Sequence, residues 1–96
     1  MECAGCDWDP RKAQQNLRKH GVRFEVACSV FGDPFRDAVL DDRAYDEERW
    51  TVVGSAGPWI LVVAYTYRNE RWRIISARKA TPQEERAYHD RRARSR

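Results

Sequence analysis

Nine consecutive residues, Trp59 to Tyr67 (WILVVAYTY), form an unbroken apolar and aromatic run. A strand of that composition must be covered on both faces, so the run predicts the centre of a sheet. Turn signals bracket it, with Ser55-Ala56-Gly57-Pro58 before it and Asn69-Glu70 after it. Arg49–Gly54 and Arg71–Arg78 then read as its antiparallel neighbours. Phe35–Leu40 reads as a further strand that leaves through Asp41-Asp42-Arg43.

Upstream the period is helical. Asp9-Pro10 joins an N-cap to the residue best suited to the first helical position, and Gly21 is the natural stop. Phe24, Ala27, Cys28 and Phe31 share one face of a second helix that ends at Gly32-Asp33-Pro34. With a tight turn at His20-Gly21 the two make a helical hairpin. Downstream, Thr81-Pro82-Gln83-Glu84 is a capping box, with Thr81 as N-cap and Glu84 at the third helical position. That helix continues through Tyr88. The expected fold is α+β: a helical hairpin packed on a roughly four-stranded antiparallel sheet, followed by a C-terminal helix. The free face of the sheet would present Arg and aromatic side chains to a ligand.

The 96 residues form one domain, with 1–7 expected as a flexible tail and 92–96 as a basic tail. A chain this short buries one modest core, so a surface groove is expected rather than a deep pocket. No run of 18 apolar residues is present and the N-terminus lacks a signal-peptide pattern, which points to the cytoplasm and away from membranes. Cys3 and Cys6 form a C-x-x-C, but a structural zinc needs four ligands and only His20 offers itself as a third. Cys3 and Cys6 therefore read as tail residues, Cys28 as core, and no metal or cofactor is expected.

The formal charge is +3, and 15 of the 18 basic residues are Arg. Arg presents a planar fork that suits phosphate, although an arginine-rich composition explains the number equally well. Placement decides. The segment Trp72–Tyr88 brings Arg73, Arg78, Lys79, Arg86 and Tyr88 to one strand–helix junction, where a helix N-terminus adds donors for an anion. This density points to RNA. Strict alternation would put Arg73, Ile75 and Ala77 on one strand face, with Ile74, Ser76 and Arg78 on the other.

Metal-free RNA cleavage needs a base for the ribose 2′-hydroxyl, cations for the phosphorane and an acid for the leaving 5′-oxygen. Glu47 or His20 would be base or acid. Arg49, Arg68, Arg78 and Lys79 would hold phosphate, with Tyr88 lining the site, and Lys19, Arg43, Arg73 and Arg86 would bind RNA. Each has a structural alternative. Arg78 and Lys79 can be solvated, and Arg68 can be an ordinary hairpin end. His20 can interact with a helix C-terminus, and Tyr88 can be core. The run Asp41, Asp42, Asp46, Glu47, Glu48 can hold Mg²⁺ or be a salt-bridged loop. Trp50, Trp59 and Trp72 can be core or cross-strand pairs, or one can be a stacking platform for RNA.

Four blocks in order resemble the BrnT family of type II toxins, small RelE-like ribonucleases encoded beside a BrnA antitoxin. In WDPRKAQQNLRKHGVRFEVACSVFGDP, Trp8, Asp9, Lys12, Asn16, Lys19, His20, Gly21 and Phe24 match the family's opening. In DRAYDEERWTVVG, Asp42, Arg43, Tyr45, Glu47, Arg49 and Gly54 match its middle. VVAYTYR and RIISARKATPQEERAYH resemble the last strands and the closing motif. In place of the family's apolar opening strand stands MECAGCDWD, which has little strand character, and Asp46 stands where the family often has Gly. The resemblance implies a RelE-like fold and cleavage of mRNA without an obligatory metal. It also implies neutralisation by a BrnA-like, DNA-binding antitoxin in a hetero-oligomer, which would meet operator DNA only through that partner. A reading from another class is a non-catalytic nucleic-acid- or partner-binding module, a degenerate toxin acting as co-repressor.

Overall fold

The computed structural model describes residues 2–3, 5–41 and 47–94. Its strands are β1 (Glu2–Cys3), β2 (Cys6–Trp8), β3 (Asp37–Asp41), β4 (Arg49–Ala56), β5 (Trp59–Arg68) and β6 (Arg71–Lys79). Its helices are α1 (Pro10–His20), α2 (Phe24–Ala27) and α3 (Pro82–Arg94). The strands lie in the order β1-β2-β6-β5-β4-β3. Five of them carry the sheet, and β1 adds a two-residue pairing at one edge.

The apolar run does become an inner strand, β5, antiparallel to β4 and β6 on either side. The β5–β6 turn places Asn69 and Glu70 at φ 54° and 61°, the left-handed pair that a two-residue hairpin with the sheet's own twist requires. The expected all-antiparallel sheet of four strands is corrected at the N-terminal side. Cys6–Trp8 pairs parallel with Trp72–Ile74, so the sheet is mixed. Within the stretch expected as a tail, Cys6 is fully buried and bonded to Cys28 in a disulfide that closes 22 residues. A cross-link of that span is worth about 3 kcal/mol through the unfolded chain. In this way β2 is held to the turn beneath it as well as to β6.

The expected helical hairpin is reduced. Asp9 caps α1 by accepting from Arg11 N–H at 2.9 Å, and Gly21 ends it at φ 71°. The second helix is a single α-turn that tightens into a 3-10 turn over Cys28–Gly32. Phe24, Ala27, Val30 and Phe31 still bury against Leu61, Val63, Tyr65, Ile74 and Ala77. Buried Asn16 ties these layers together: its amide donates to Val22 O and Ala77 O and accepts from Ala77 N–H. The C-terminal helix runs to Arg94, into the stretch expected as a basic tail.

One irregularity decides what the sheet presents. The β5–β6 register shifts between Ala64 and Tyr65, which pair with Ser76 and Ile74 and leave Ile75 as an extra residue. Ile74 and Ala77 therefore both face the helices, contrary to strict alternation. Arg73 and Arg78 share the opposite face, because their partners Thr66 and Val62 are of one parity.

Candidate functional site

Two kinds of row alternate across the sheet. Trp8, Ile74, Tyr65 and Trp50 are paired in line and face the helices. One residue along, Asp7, Arg73 and Thr66 form a polar row on the other face. Strand pleating alone produces this sorting. Around the polar row lies a pocket of about 200 Å³ lined by Asp9, Lys12, Glu47, Arg49, Thr66, Arg68 and Arg73, with Ile74 and the bulged Ile75.

Its parts come from four segments. The N-terminal turn of α1 contributes Asp9 and Lys12. The start of β4 and the residue two before it contribute Arg49 and Glu47. The ends of β5 and β6 bring Thr66, Arg68 and Arg73. Arg68 donates to the Glu47 carboxylate at 2.7 Å, with both side chains about half exposed. Arg73 lies 3.4 Å from Asp7, whose position on β2 follows from the parallel pairing. Thr66 is 2 % exposed, yet its hydroxyl has no hydrogen-bond partner among the described residues. A buried hydroxyl left without a partner is costly, and this one lies within the pocket wall rather than open to the pocket. Three guanidinium groups and one ammonium, with the two carboxylates of Asp9 and Glu47 among them, suit a phosphodiester.

The strand–helix junction is different. Arg78 donates to both carboxylate oxygens of Glu84, at 2.8 and 3.0 Å. Glu84 also accepts from Thr81 N–H at 2.8 Å while its own N–H donates to Thr81 Oγ1, which completes the capping box. The Arg78 hydrogen bonds, chiefly, and that N–H hold the Glu84 carboxyl down at about 2, and Glu84 in turn raises Arg78. Tyr88 is 1 % exposed and donates to Asp33 Oδ2 at 2.5 Å. Burial first, then Asp33, pushes its phenol up to about 12. Burial raises the Asp33 carboxyl, but the Tyr88 hydroxyl and the N–H groups of Ser55 and Phe35 outweigh it and hold the group below its usual range.

Of the sequence candidates, Glu47, Arg49, Arg68 and Arg73 converge on the pocket. Arg78 does not: Val62 and Thr66, the partners of Arg78 and Arg73, lie four residues apart on β5, which is about 13 Å of strand. Lys79 lies 5.7 Å from the Trp59 ring, beside a separate groove. Tyr88 is a core residue, and Arg86 is exposed on α3. Lys19 and His20 close α1 at the end opposite Lys12. Arg43 and most of the acidic run, 42–46, lie outside the described residues. Among the described residues no group of three or more His, Cys, Asp or Glu is placed to hold a metal ion. No helix is long and apolar enough to cross a membrane. Sequence reasoning missed Lys12, Asp9 and Thr66 as site residues. The available signals were a single hydroxyl inside an apolar strand and a helix start rich in charge.

A family model described as "Ribonuclease toxin, BrnT, of type II toxin-antitoxin system" matches residues 8–84. No curated protein matches the chain.

Proposed function

From the membership of this chain in the BrnT family of type II toxin–antitoxin ribonuclease toxins, we propose that the pocket around Thr66 binds the scissile phosphate of an mRNA and cleaves it without a metal ion. The observation that carries this reading is the convergence of Lys12, Arg49, Arg68 and Arg73 on one pocket beside Glu47. Glu47 takes the proton of the ribose 2′-hydroxyl, whose oxygen then attacks phosphorus. Arg49, Arg68 and Arg73 hold the charge that develops on the equatorial oxygens. Lys12 delivers a proton as the bond from phosphorus to the 5′-oxygen breaks, which leaves a 2′,3′-cyclic phosphate and a 5′-hydroxyl. The ion pair with Arg68 fixes the Glu47 carboxylate in place before substrate arrives.

The RelE-like arrangement, a BrnA-like antitoxin with a DNA-binding domain and contact with operator DNA through that antitoxin belong to the same proposal. So does the cytoplasm, where ribosomes and mRNA are. Reducing compartments disfavour disulfides, so there the Cys6–Cys28 bond stands against the local poise.

The test is induced expression with and without the antitoxin, followed by mapping of RNA ends. Growth arrest and new 5′-hydroxyl ends, both abolished by Glu47→Gln and by co-expressed antitoxin, are expected. Intact RNA and normal growth without antitoxin would overturn the reading in favour of a non-catalytic binding module.

A further inference from the structure

A second opening shares a wall with the cationic pocket. It encloses about 500 Å³, inside the ~300–1,000 Å³ span of small-ligand sites. Trp50, Tyr65, Tyr67, Trp72, Glu47 and Glu48 line it. Glu47 lines the cationic pocket as well. Tyr67 and Arg68 are adjacent on β5 and point to opposite faces, so the two openings lie back to back around one end of the sheet.

The aromatic walls are fixed to different degrees. Trp72 stacks on Phe31 with ring centres 4.5 Å apart and planes within 10°. Gly5 lies against the same indole, where a Cβ would meet it at 2.8 Å, so only glycine fits there. Tyr65 meets Phe31 edge-on at 4.9 Å. Tyr67 stands at 67° to Trp72 with centres 6.1 Å apart and is 57 % exposed. The core therefore holds Trp72 and Tyr65 rigid while Tyr67 offers an open π-face at a steep angle to the Trp72 ring.

We propose that this cleft is a nucleobase-binding subsite, which takes a base next to the scissile phosphate against Tyr67. The inference rests on the reading of the cationic pocket as a phosphate site. A single-stranded RNA turning round the end of β5 places its phosphate by Arg68 and Arg73 on one face and a neighbouring base in the cleft on the other. Stacking is tolerant of base identity, and the Glu48 carboxylate at the lip accepts from a base N–H. The mixed aromatic and acidic lining suits a base better than it suits a phosphate.

The experiment uses the full-length protein and an end-labelled single-stranded RNA made with 2′-O-methyl riboses, which cannot be cleaved through the 2′-oxygen. Binding is read by fluorescence anisotropy for the wild type, Tyr67→Ala, Tyr67→Phe and Arg73→Gln. Tyr67→Ala is expected to bind about tenfold more weakly, and Tyr67→Phe to bind as the wild type does. One abasic position in the RNA should weaken wild-type binding by the same factor and add nothing to Tyr67→Ala. Tyr67→Ala within twofold of the wild type, with Arg73→Gln weakened, overturns the subsite and leaves the phosphate reading standing. Arg73→Gln binding like the wild type, or no RNA binding at all, overturns the phosphate reading and the subsite with it. A Tyr67→Ala protein that binds RNA normally but loses antitoxin makes the cleft a protein-docking surface, which also overturns the subsite.

Discussion

The cationic pocket and the strand–helix junction hold the same kinds of side chain and use them in opposite ways. At the junction three strong groups are consumed internally: Arg78 by Glu84, Glu84 by Thr81, and Tyr88 by Asp33. In the pocket Arg68 meets Glu47 and Arg73 meets Asp7; Lys12, Arg49 and Asp9 line the same walls, and a buried hydroxyl has no hydrogen-bond partner among the described residues. Density of phosphate-binding residues in sequence therefore does not mark a site. Convergence of charged side chains from separate segments on one pocket does.

Three measurements bear on that contrast. The largest effect is expected from Arg73→Gln, which should lower RNA cleavage about 100-fold. Arg78→Gln should change cleavage less than threefold, and comparable losses from the two would abolish the distinction. Next is Tyr88→Phe, which removes a buried hydrogen bond to a charged partner and should cost about 2 kcal/mol, a fall of roughly 10 °C in melting temperature. Cleavage at 25 °C should be unchanged, and a large loss of activity there would return Tyr88 to the site. The pH dependence has a definite sign. The Tyr88 phenol is raised to about 12 from 10.0, so its contribution is complete below pH 10 and disappears as pH climbs toward 12. Tyr88→Phe should lack that alkaline loss.

The smallest effect is expected from Glu84→Gln. The Glu84 carboxyl titrates at about 2 rather than 4.5, so its ion pair contributes above pH 4.5 and is lost as pH falls toward 2. With the Arg78 and Glu84 side chains 41 % and 32 % exposed, solvent screening reduces the contribution to about 1 kcal/mol. Melting curves of the variant and the wild type should differ by a few degrees at pH 7 and converge near pH 2. A difference that persists there would assign the effect to helix capping rather than to the ion pair.

Much of the architecture was legible in the chain because it is carried by long periodic segments. Trp59–Arg68, Arg71–Lys79 and the Thr81–Glu84 cap are each specified by local chemistry. What escaped is set by single residues. Ile75 makes a bulge that no alternation pattern announces, and it alone puts Arg73 and Arg78 on one face. Cys6–Trp8 is too short to show a period, and its strand character comes from pairing with β6 and bonding to Cys28. In the site, Glu47, Arg49, Arg68 and Arg73 were legible as types, while Lys12 and Thr66 needed the third dimension. The capping box was read correctly at the junction, but nothing in its spacing said that the same carboxylate would also hold Arg78.

The parallel pairing of β2 with β6 also bears on when the pocket comes into being. Asp7 and Arg73, which meet across it, are 66 residues apart in the chain. A contact of that span waits on the closure of a long loop and is among the slowest to form. A nascent chain that has exposed Lys12, Arg49 and Arg68 but still lacks Arg73 has no closed pocket and no seat for β2. The pocket therefore assembles late in folding, once β6 is available to seat β2.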